Sequence, residues 1–421
     1  MKDRIPGSPG RVKITPEGGA AYYAVLERAD NPLEEGTPLN KANLLSDQTA
    51  YKIGLSDAEA TPNIAFDRLA QIIYDSLGGV IINLTLQAAD GTRIPNAQIT
   101  GVVALSGGDA VTDANGQVTC VSLLENPTIG WGQDFADLEP GSQQITVASG
   151  ETVSQTITVT TRNFVEYMES RMIKFSPLCT RLDTSLLAGG GGGGGGNAEG
   201  PNYYNDCGGG GGGAGGEAIT QESVTFTPAV EYALIVGAGG EGGASKTSGG
   251  AGGDTSLLGI VAHGGAGGEY GSYSRYGDTT GAGGTGNNGN GGLGASVGLN
   301  NAAGIATAGA QTIFTSMDTT ATTGGGGGGG GSRERDEAED YDQKYAPSAG
   351  AGNGGDGGDC SSSGFSNHDG YNGTLGGGGG GGGAFTEPTT YPNGNSYVGK
   401  GGDGGNGKAA LRMWHGEENA A

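Results

Sequence analysis

Four unbroken glycine runs, at 189–196, 208–213, 324–331 and 376–383, constrain this chain more than anything else in it. Glycine has no side chain to bury, and fixing each backbone unit costs roughly 1–2 kcal/mol of conformational entropy. A helix is a poor solution, since each Gly costs roughly 1 kcal/mol relative to Ala. Order in such a run therefore rests on backbone hydrogen bonds and on close approach of chain to chain. An extended polyproline-II-like strand has no internal hydrogen bonds and turns its N–H and C=O groups outward. Side by side, such strands can bond in a lattice whose interior excludes any Cβ. The prediction is an ordered, polyglycine-II-like region over 189–421.

The glycine is concentrated there: 77 of the 94 glycines lie at or beyond Gly189. That is the collagen proportion, but the same region has five prolines and no strict third-position period, so collagen is excluded. A disordered linker is the competing reading. Against it stand tyrosine-dense inserts, GGxGG units beginning at Gly239, Gly249, Gly264, Gly354 and Gly401, and apolar segments at both ends, SVTFTPAVEYALIV at 223–236 and KAALRMW at 408–414. Residues 233–243, ALIVGAGGEGG, contain G-x-G-x-x-G after an apolar run. A dinucleotide site needs a helix to open on the last glycine, and the following GASKTSGGAGGD is too rich in glycine to form one.

The formal charge is −24, which disfavours a nucleic-acid partner. No apolar run is long enough to span a membrane, and MKDRIPGSPG has no apolar core of a secretory signal, so cytosolic synthesis without membrane insertion is expected. Cys120, Cys179, Cys207 and Cys360 are too scattered for structural zinc and fit reduced thiols; a Cys207–Cys360 bridge between tail loops stays open. His263, His368 and His415 are far apart in sequence, and neither a Ser/His/Asp set nor paired carboxylates can be read. We expect no enzyme, no cofactor and no metal.

Before the glycine region the chain reads as a series of small parts. Residues 1–50 form a compact segment, with strands at RVKIT (11–15) and AAYYAVLE (20–27) and a short helix at 36–45 begun by Thr37 and Pro38. Over 51–79 a helix follows Thr61-Pro62, with Ala65, Leu69, Ile72, Ile73 and Leu77 on one stripe that needs a partner, and Gly78-Gly79 stops it. From 80 to 162 the period becomes two, with a DANG turn at 113–116 and a hairpin expected across Ser149-Gly150. This predicts a β-sandwich, similar to the immunoglobulin-like spacer modules of the carboxypeptidase-regulatory type. The DANG stretch fits a β-turn better than a calcium loop. Residues 163–188 are predicted to be a linker helix, with Phe164, Met168 and Met172 on one face.

The inserts between glycine runs have the composition of a binding surface. Ten of the sixteen tyrosines lie in them, beside Ser, Asn and Arg. Tyr offers a large amphipathic contact at small rotamer cost, and its face suits a sugar ring. Candidate contact residues are Tyr203, Tyr204, Tyr270, Tyr273, Arg275, Tyr276, Arg333, Arg335, Tyr341, Tyr345, Phe365, His368, Tyr371, Tyr391 and Tyr397. A rigid scaffold carrying such loops is a common layout for recognition.

Two parts of the chain resemble bacteriophage tail fibres. KDRIPGSPGRVKITP, GTPLNKANLL and TPNIAFDRLA, within residues 2–78, are similar to the attachment regions of such fibres. EYALIVGAGGEGG at the head of the tail and GGDGGNGKAALRMW at its close resemble their glycine-rich receptor-binding tips. The resemblance implies an elongated, mainly β and irregular multidomain fibre. In it, residues 1–78 would hold phage tail or baseplate proteins, 80–162 would be the immunoglobulin-like spacer, and 189–421 would bind a surface glycan or outer protein of the bacterial host. It also implies a homotrimer located in the virion. The alternative is a calcium-dependent repeat protein, because GGAGGD (249–254) and GGDGGD (354–359) match the opening of the G-G-x-G-x-D-x-U-x repeat; Ser256 and Ser361 stand where that repeat has an apolar residue.

Overall fold

The computed structural model describes residues 79–198, 207–272, 281–295, 303–336, 341–360, 368–387 and 395–416, the strands Arg11–Ile14 and Tyr22–Val25, and positions 64, 68, 69 and 72. The chain divides into two units, 1–78 and 79–421. In the first, the two strands that the sequence predicts are present, and Arg11–Ile14 pairs antiparallel with Tyr22–Val25, Arg11 opposite Val25. Ile64, Arg68, Leu69 and Ile72 are helical, within the segment that Thr61-Pro62 was expected to open. The helix expected at 36–45 lies outside the described residues.

The second unit is mainly β and is built in several sheets. Its first part centres on Val80–Ala88, where Val80, Ile82, Leu84 and Leu86 alternate into a core with Ile94, Ile129, Leu138 and Ile157. This strand pairs antiparallel with Gln117–Ser122 and parallel with Thr152–Val159. The parallel partner corrects the expected hairpin across Ser149-Gly150. Gly141–Gln144 pairs instead with Thr128–Trp131, and the chain crosses to the far edge of Val80–Ala88 before Thr152–Val159 begins. That crossing lets Ile157 and Val159 enter the core. The DANG stretch is a turn: Asp113 Oδ1 accepts from Asn115 N at 2.8 Å and Gln117 N at 2.9 Å, and these bonds hold its carboxyl below the ordinary Asp value.

The predicted linker helix is absent. Phe164–Tyr167, Arg171–Ile173 and Cys179–Leu187 are strands. Of the expected apolar face, Met168 is 49 % and Met172 54 % exposed and Phe164 only half-buried, while Tyr167 and Ile173 are buried. The physical reason is non-local pairing. Phe164–Tyr167, Lys408–His415, Cys179–Leu187 and Ala218–Gln221 form one four-stranded sheet, so the partner of Phe164 is Arg412. Leu182, Leu186, Leu234, Leu257, Leu411 and Met413 pack on it as a second core.

At Ala188 the period changes from two to three. The rod at 189–196 makes no hydrogen bond within itself and bonds outward in a threefold cycle. Gly190, Gly193 and Gly196 donate to the carbonyls of Gly405, Gly402 and Gly399; Gly191 and Gly194 to Ala214 and Gly211; and Gly189, Gly192 and Gly195 to Gly253, Gly250 and Thr247, all at 2.8–3.0 Å. Its own carbonyls accept in the same cycle, Gly190 and Gly193 from Gly240 and Gly243, Gly191 and Gly194 from Gly379 and Gly382, and Gly192 and Gly195 from Gly268 and Gly271. Six neighbouring rods thus surround it, three taking its hydrogen bonds and three giving theirs. The runs at 208–213, 324–331 and 376–383 are bonded in the same cycle. Gly212, Gly327 and Gly379, for example, donate to Gly292, Gly213 and Gly191. A Cβ built on any of Gly189 to Gly196 would fall under 3.0 Å from a backbone carbonyl oxygen, as for Gly193 against Gly380. The unbroken runs are the rods with neighbours on every side.

Rods at the rim follow another rule, and it supplies the third-position period that the whole tail lacks. In 237–244, Ala238, Glu241 and Ala244 are exposed, while Gly237, Gly240 and Gly243 are buried. Lys400, Asp403 and Asn406 take the corresponding places in 399–407. Their side chains close the lattice. Asn406 Oδ1 and Asp403 Oδ1 accept from Gly239 N at 2.9 Å and Gly242 N at 2.8 Å; Asp369 Oδ1 and Asn372 Oδ1 accept from Lys400 N at 2.7 Å and Asp403 N at 2.8 Å. Asp254 and Asp356 do the same for Gly264 and Gly350. Short carboxylates and amides stand in for the carbonyls of a rod that is not there, which keeps the outer N–H groups satisfied.

Two outcomes test this arrangement. Gly193→Ala is expected to cost about 3 kcal/mol or more in denaturant unfolding, because backbone on two rods must move. Gly250→Ala, at an exposed position where the new Cβ meets nothing closer than 3.3 Å, is expected to stay within about 1 kcal/mol. At the rim, Asp403→Ala is expected to lose about 1 kcal/mol and Asp403→Asn much less, since the amide oxygen still accepts from Gly242.

Candidate functional site

The direction of the rods sorts the connections. The rods that accept hydrogen bonds from 189–196 run antiparallel to it and those that donate to it run parallel, as the bond registers show. Each rod leaving the apolar sheet is therefore followed by one returning to it. One end of the lattice carries the apolar strands Cys179–Leu187, Ala218–Gln221, Tyr232–Leu234, Thr255–Leu257, Ile260–Ala262, Thr312–Phe314 and Lys408–His415. At the other end Asn197–Ala198 pairs with Cys207–Gly208. There too lies a four-stranded sheet in the order Tyr341–Tyr345, Ser332–Asp336, Ala384–Glu387, Asn395–Val398. Ser332–Asp336 and Ala384–Glu387 pair parallel, as expected of strands that continue the rods 324–331 and 376–383.

The candidate contact residues that are described fall at this second end or along a rod that starts there. His368 and Tyr397 are brought together as a stacked pair, ring centroids 6.2 Å apart at an interplanar angle of 16°. The His368 ring is fixed by Nδ1, 3.0 Å from the Asp359 carbonyl oxygen. Tyr371, three residues further along the same rod, is 54 % exposed, and Tyr270, at the close of another, is 40 % exposed. Tyr345 serves differently: it packs with Val398 over Ala198, Cys207 and Ala384, a small apolar cluster that joins the end sheet to the lattice. On the strands, Arg333 lies opposite Lys344, Arg335 opposite Asp342, and Tyr341 opposite Asp336. Tyr203, Tyr204, Tyr273, Arg275, Tyr276, Phe365 and Tyr391 lie outside the described residues.

Sequence reasoning missed Lys344 and Asp359, whose side chains approach to 3.7 Å beside the His368 ring. The signal was present in GGDGGD, where a carboxylate every third residue marks an outward position. Cys207 and Cys360 are buried thiols that are not joined to each other. The Cys360 thiol lies 3.4 Å from the Tyr345 carbonyl oxygen. The end thus offers aromatic faces, hydroxyls and mixed charges on a frame whose backbone is held by the lattice. Such groups can stack on and hydrogen-bond a ligand.

The other histidines sit at the apolar end. His263 Nδ1 lies 3.4 Å from Asp254 Oδ2. His415 lies between Asn163 Oδ1 at 3.0 Å and Asp137 Oδ2 at 3.3 Å. Ser176 completes a serine, histidine and aspartate grouping that no spacing in the sequence discloses. Its hydroxyl donates to the Asp137 carboxylate and not to the imidazole, and both residues are fully buried. The order needed to activate a serine is therefore not the one present.

No curated protein matches this chain. The family model of the glycine-rich domain matches residues 169–414, which take in the apolar strands from Arg171 onward as well as the lattice. With more than half its length matched in this way, the chain belongs to the glycine-rich domain family.

Proposed function

We propose that this chain is a receptor-binding tail-fibre protein of a bacteriophage, and that the loop end of its glycine lattice is the adhesive tip. The observation that supports this most is the sorting of connections: apolar strands close one end, and the strands and rod ends that flank the tyrosine-rich inserts lie at the other. Rods hydrogen-bonded to their neighbours give those inserts stiff bases, and a preorganised base lowers the ordering cost of binding. In this reading the lattice is of the polyglycine-II type, residues 80–162 are an immunoglobulin-like spacer, and residues 1–78 attach to tail or baseplate proteins of an elongated homotrimer. The ligand is a glycan or an outer protein of the bacterial surface, met by a virion component. No catalytic step is assigned to the tip, and nucleic acid is not among its partners.

Adsorption of the labelled full-length chain to candidate host cells tests the proposal. Replacing Tyr270, Tyr371 and Tyr397 together by Ala should reduce cell binding at least tenfold, with the melting temperature nearly unchanged. Equal binding by the two proteins would remove the loop end from the mechanism.

A further inference from the structure

Away from the loop end, a cleft of about 250 Å³ opens where the loop at 133–140 meets the first strands of the glycine-rich domain. Its walls include Asp134, Arg162, Tyr167, Arg171 and Met172. The loop is anchored to those strands by backbone pairing, with Phe135 bridged to Lys174 and Ala136 N donating to Lys174 O at 2.8 Å. The walls therefore belong to one framework.

The charges in this cleft run against those of the chain as a whole. Against a formal charge of −24, several described cations have a carboxylate partner, as Arg181 has Asp183, Lys344 has Asp359, Lys400 has Asp403 and Lys408 has Glu166. Arg162 and Arg171 have none among the described residues. Arg162 uses Nε and one terminal nitrogen on the carbonyls of Ala136, at 2.9 Å, and Phe135, at 3.3 Å, leaving its other terminal nitrogen for a ligand. Arg171 is exposed and lies over the Tyr167 ring at 5.2 Å, which orients its guanidinium without neutralising it. Opposite them, Asp134 Oδ2 is held by Lys174 Nζ at 2.5 Å and by Gln98 N at 3.2 Å. Its Oδ1 is buried and has no hydrogen-bond partner. The lysine offsets the charge of Asp134, so that oxygen remains as an acceptor that lacks a donor.

We infer that this cleft binds a hydroxylated carboxylate of monosaccharide size, such as a uronic acid unit. The guanidinium groups of Arg162 and Arg171 would take the carboxylate, for which their planar donor geometry is suited. Asp134 Oδ1 would accept a ring hydroxyl, and Met172 would cover the apolar face of the ring. The two demands are complementary: a simple anion leaves Asp134 without a donor, and a neutral sugar leaves the arginines without an acceptor. The inference is independent of the reading of the loop end, which shares no residue with the cleft.

Calorimetric titration of the full chain tests it, using sodium D-glucuronate, D-glucose and sodium acetate as probes. Glucuronate should bind at least tenfold more tightly than either of the others. Arg171→Gln should weaken glucuronate binding at least tenfold, while Arg171→Lys, keeping the charge but losing the planar fork, should fall between that variant and the parent. The Tyr270, Tyr371 and Tyr397 replacements should leave this binding unchanged. Equal affinity for glucose and glucuronate, or glucuronate binding indifferent to Arg171→Gln, would overturn the assignment. Glucuronate binding lost with the three tyrosines and kept in Arg171→Gln would move it to the loop end.

Discussion

A hydrogen bond from an amide of one extended rod to a carbonyl of the next is the interaction on which the rest of the glycine-rich domain depends. Taken alone it is a modest contributor, of about 1 kcal/mol net. Its strength here comes from number and from closeness. Each interior glycine both donates and accepts, and no side chain separates the rods. The same closeness makes the lattice intolerant, since the space that a methyl group would need already holds a carbonyl. Ordinary proteins bury apolar side chains to offset chain entropy. In this domain that work falls mainly to the end sheet around Leu182, Leu186 and Leu411, and the interior of the lattice is held by backbone hydrogen bonds.

The rim gives part of the acidity a structural role. Asp254, Asp356, Asp369 and Asp403 are spaced as outward residues and each accepts a backbone N–H of a neighbouring rod or of the turn beside it. A carboxylate in this role needs no ion, which accounts for the GGAGGD and GGDGGD motifs without a calcium roll. The outward side chains also keep a further rod from adding to the lattice, a protection comparable to the charged residues that blunt the edges of β-sheets. Among the described residues no cluster of three or more His, Cys, Asp or Glu is placed to hold a metal.

Much of this was legible in the residues. The exclusion of Cβ from bare runs, the alternation of Val80, Ile82, Leu84 and Leu86, the turn at Asp113 and the strand pair at Arg11 and Tyr22 all follow from local chemistry. What local chemistry cannot show is who pairs with whom. Phe164–Tyr167 reads as a helix until Lys408–His415 arrives from the far end of the chain, and Thr152–Val159 reads as half of a hairpin until Val80–Ala88 claims it. The outward register of the rim was overlooked because its period of three is interrupted by every insert. The stacking of His368 on Tyr397 and the buried contact of Ser176 with Asp137 were hidden for the same reason, since their partners are distant in sequence.

The threefold cycle of the rods carries a consequence for how such a gene can change. Each residue advances a rod by about 3.1 Å and turns it by a third of a revolution. Deleting one codon from 399–407 would rotate everything beyond it by that third, bringing Lys400, Asp403 or Asn406 round to the inside and bare glycine to the rim. Removing three codons would shorten the rod by about 9 Å and leave every remaining residue facing as before. Length variation within the rods should therefore survive in triplets of residues, while the inserts between them are under no such arithmetic.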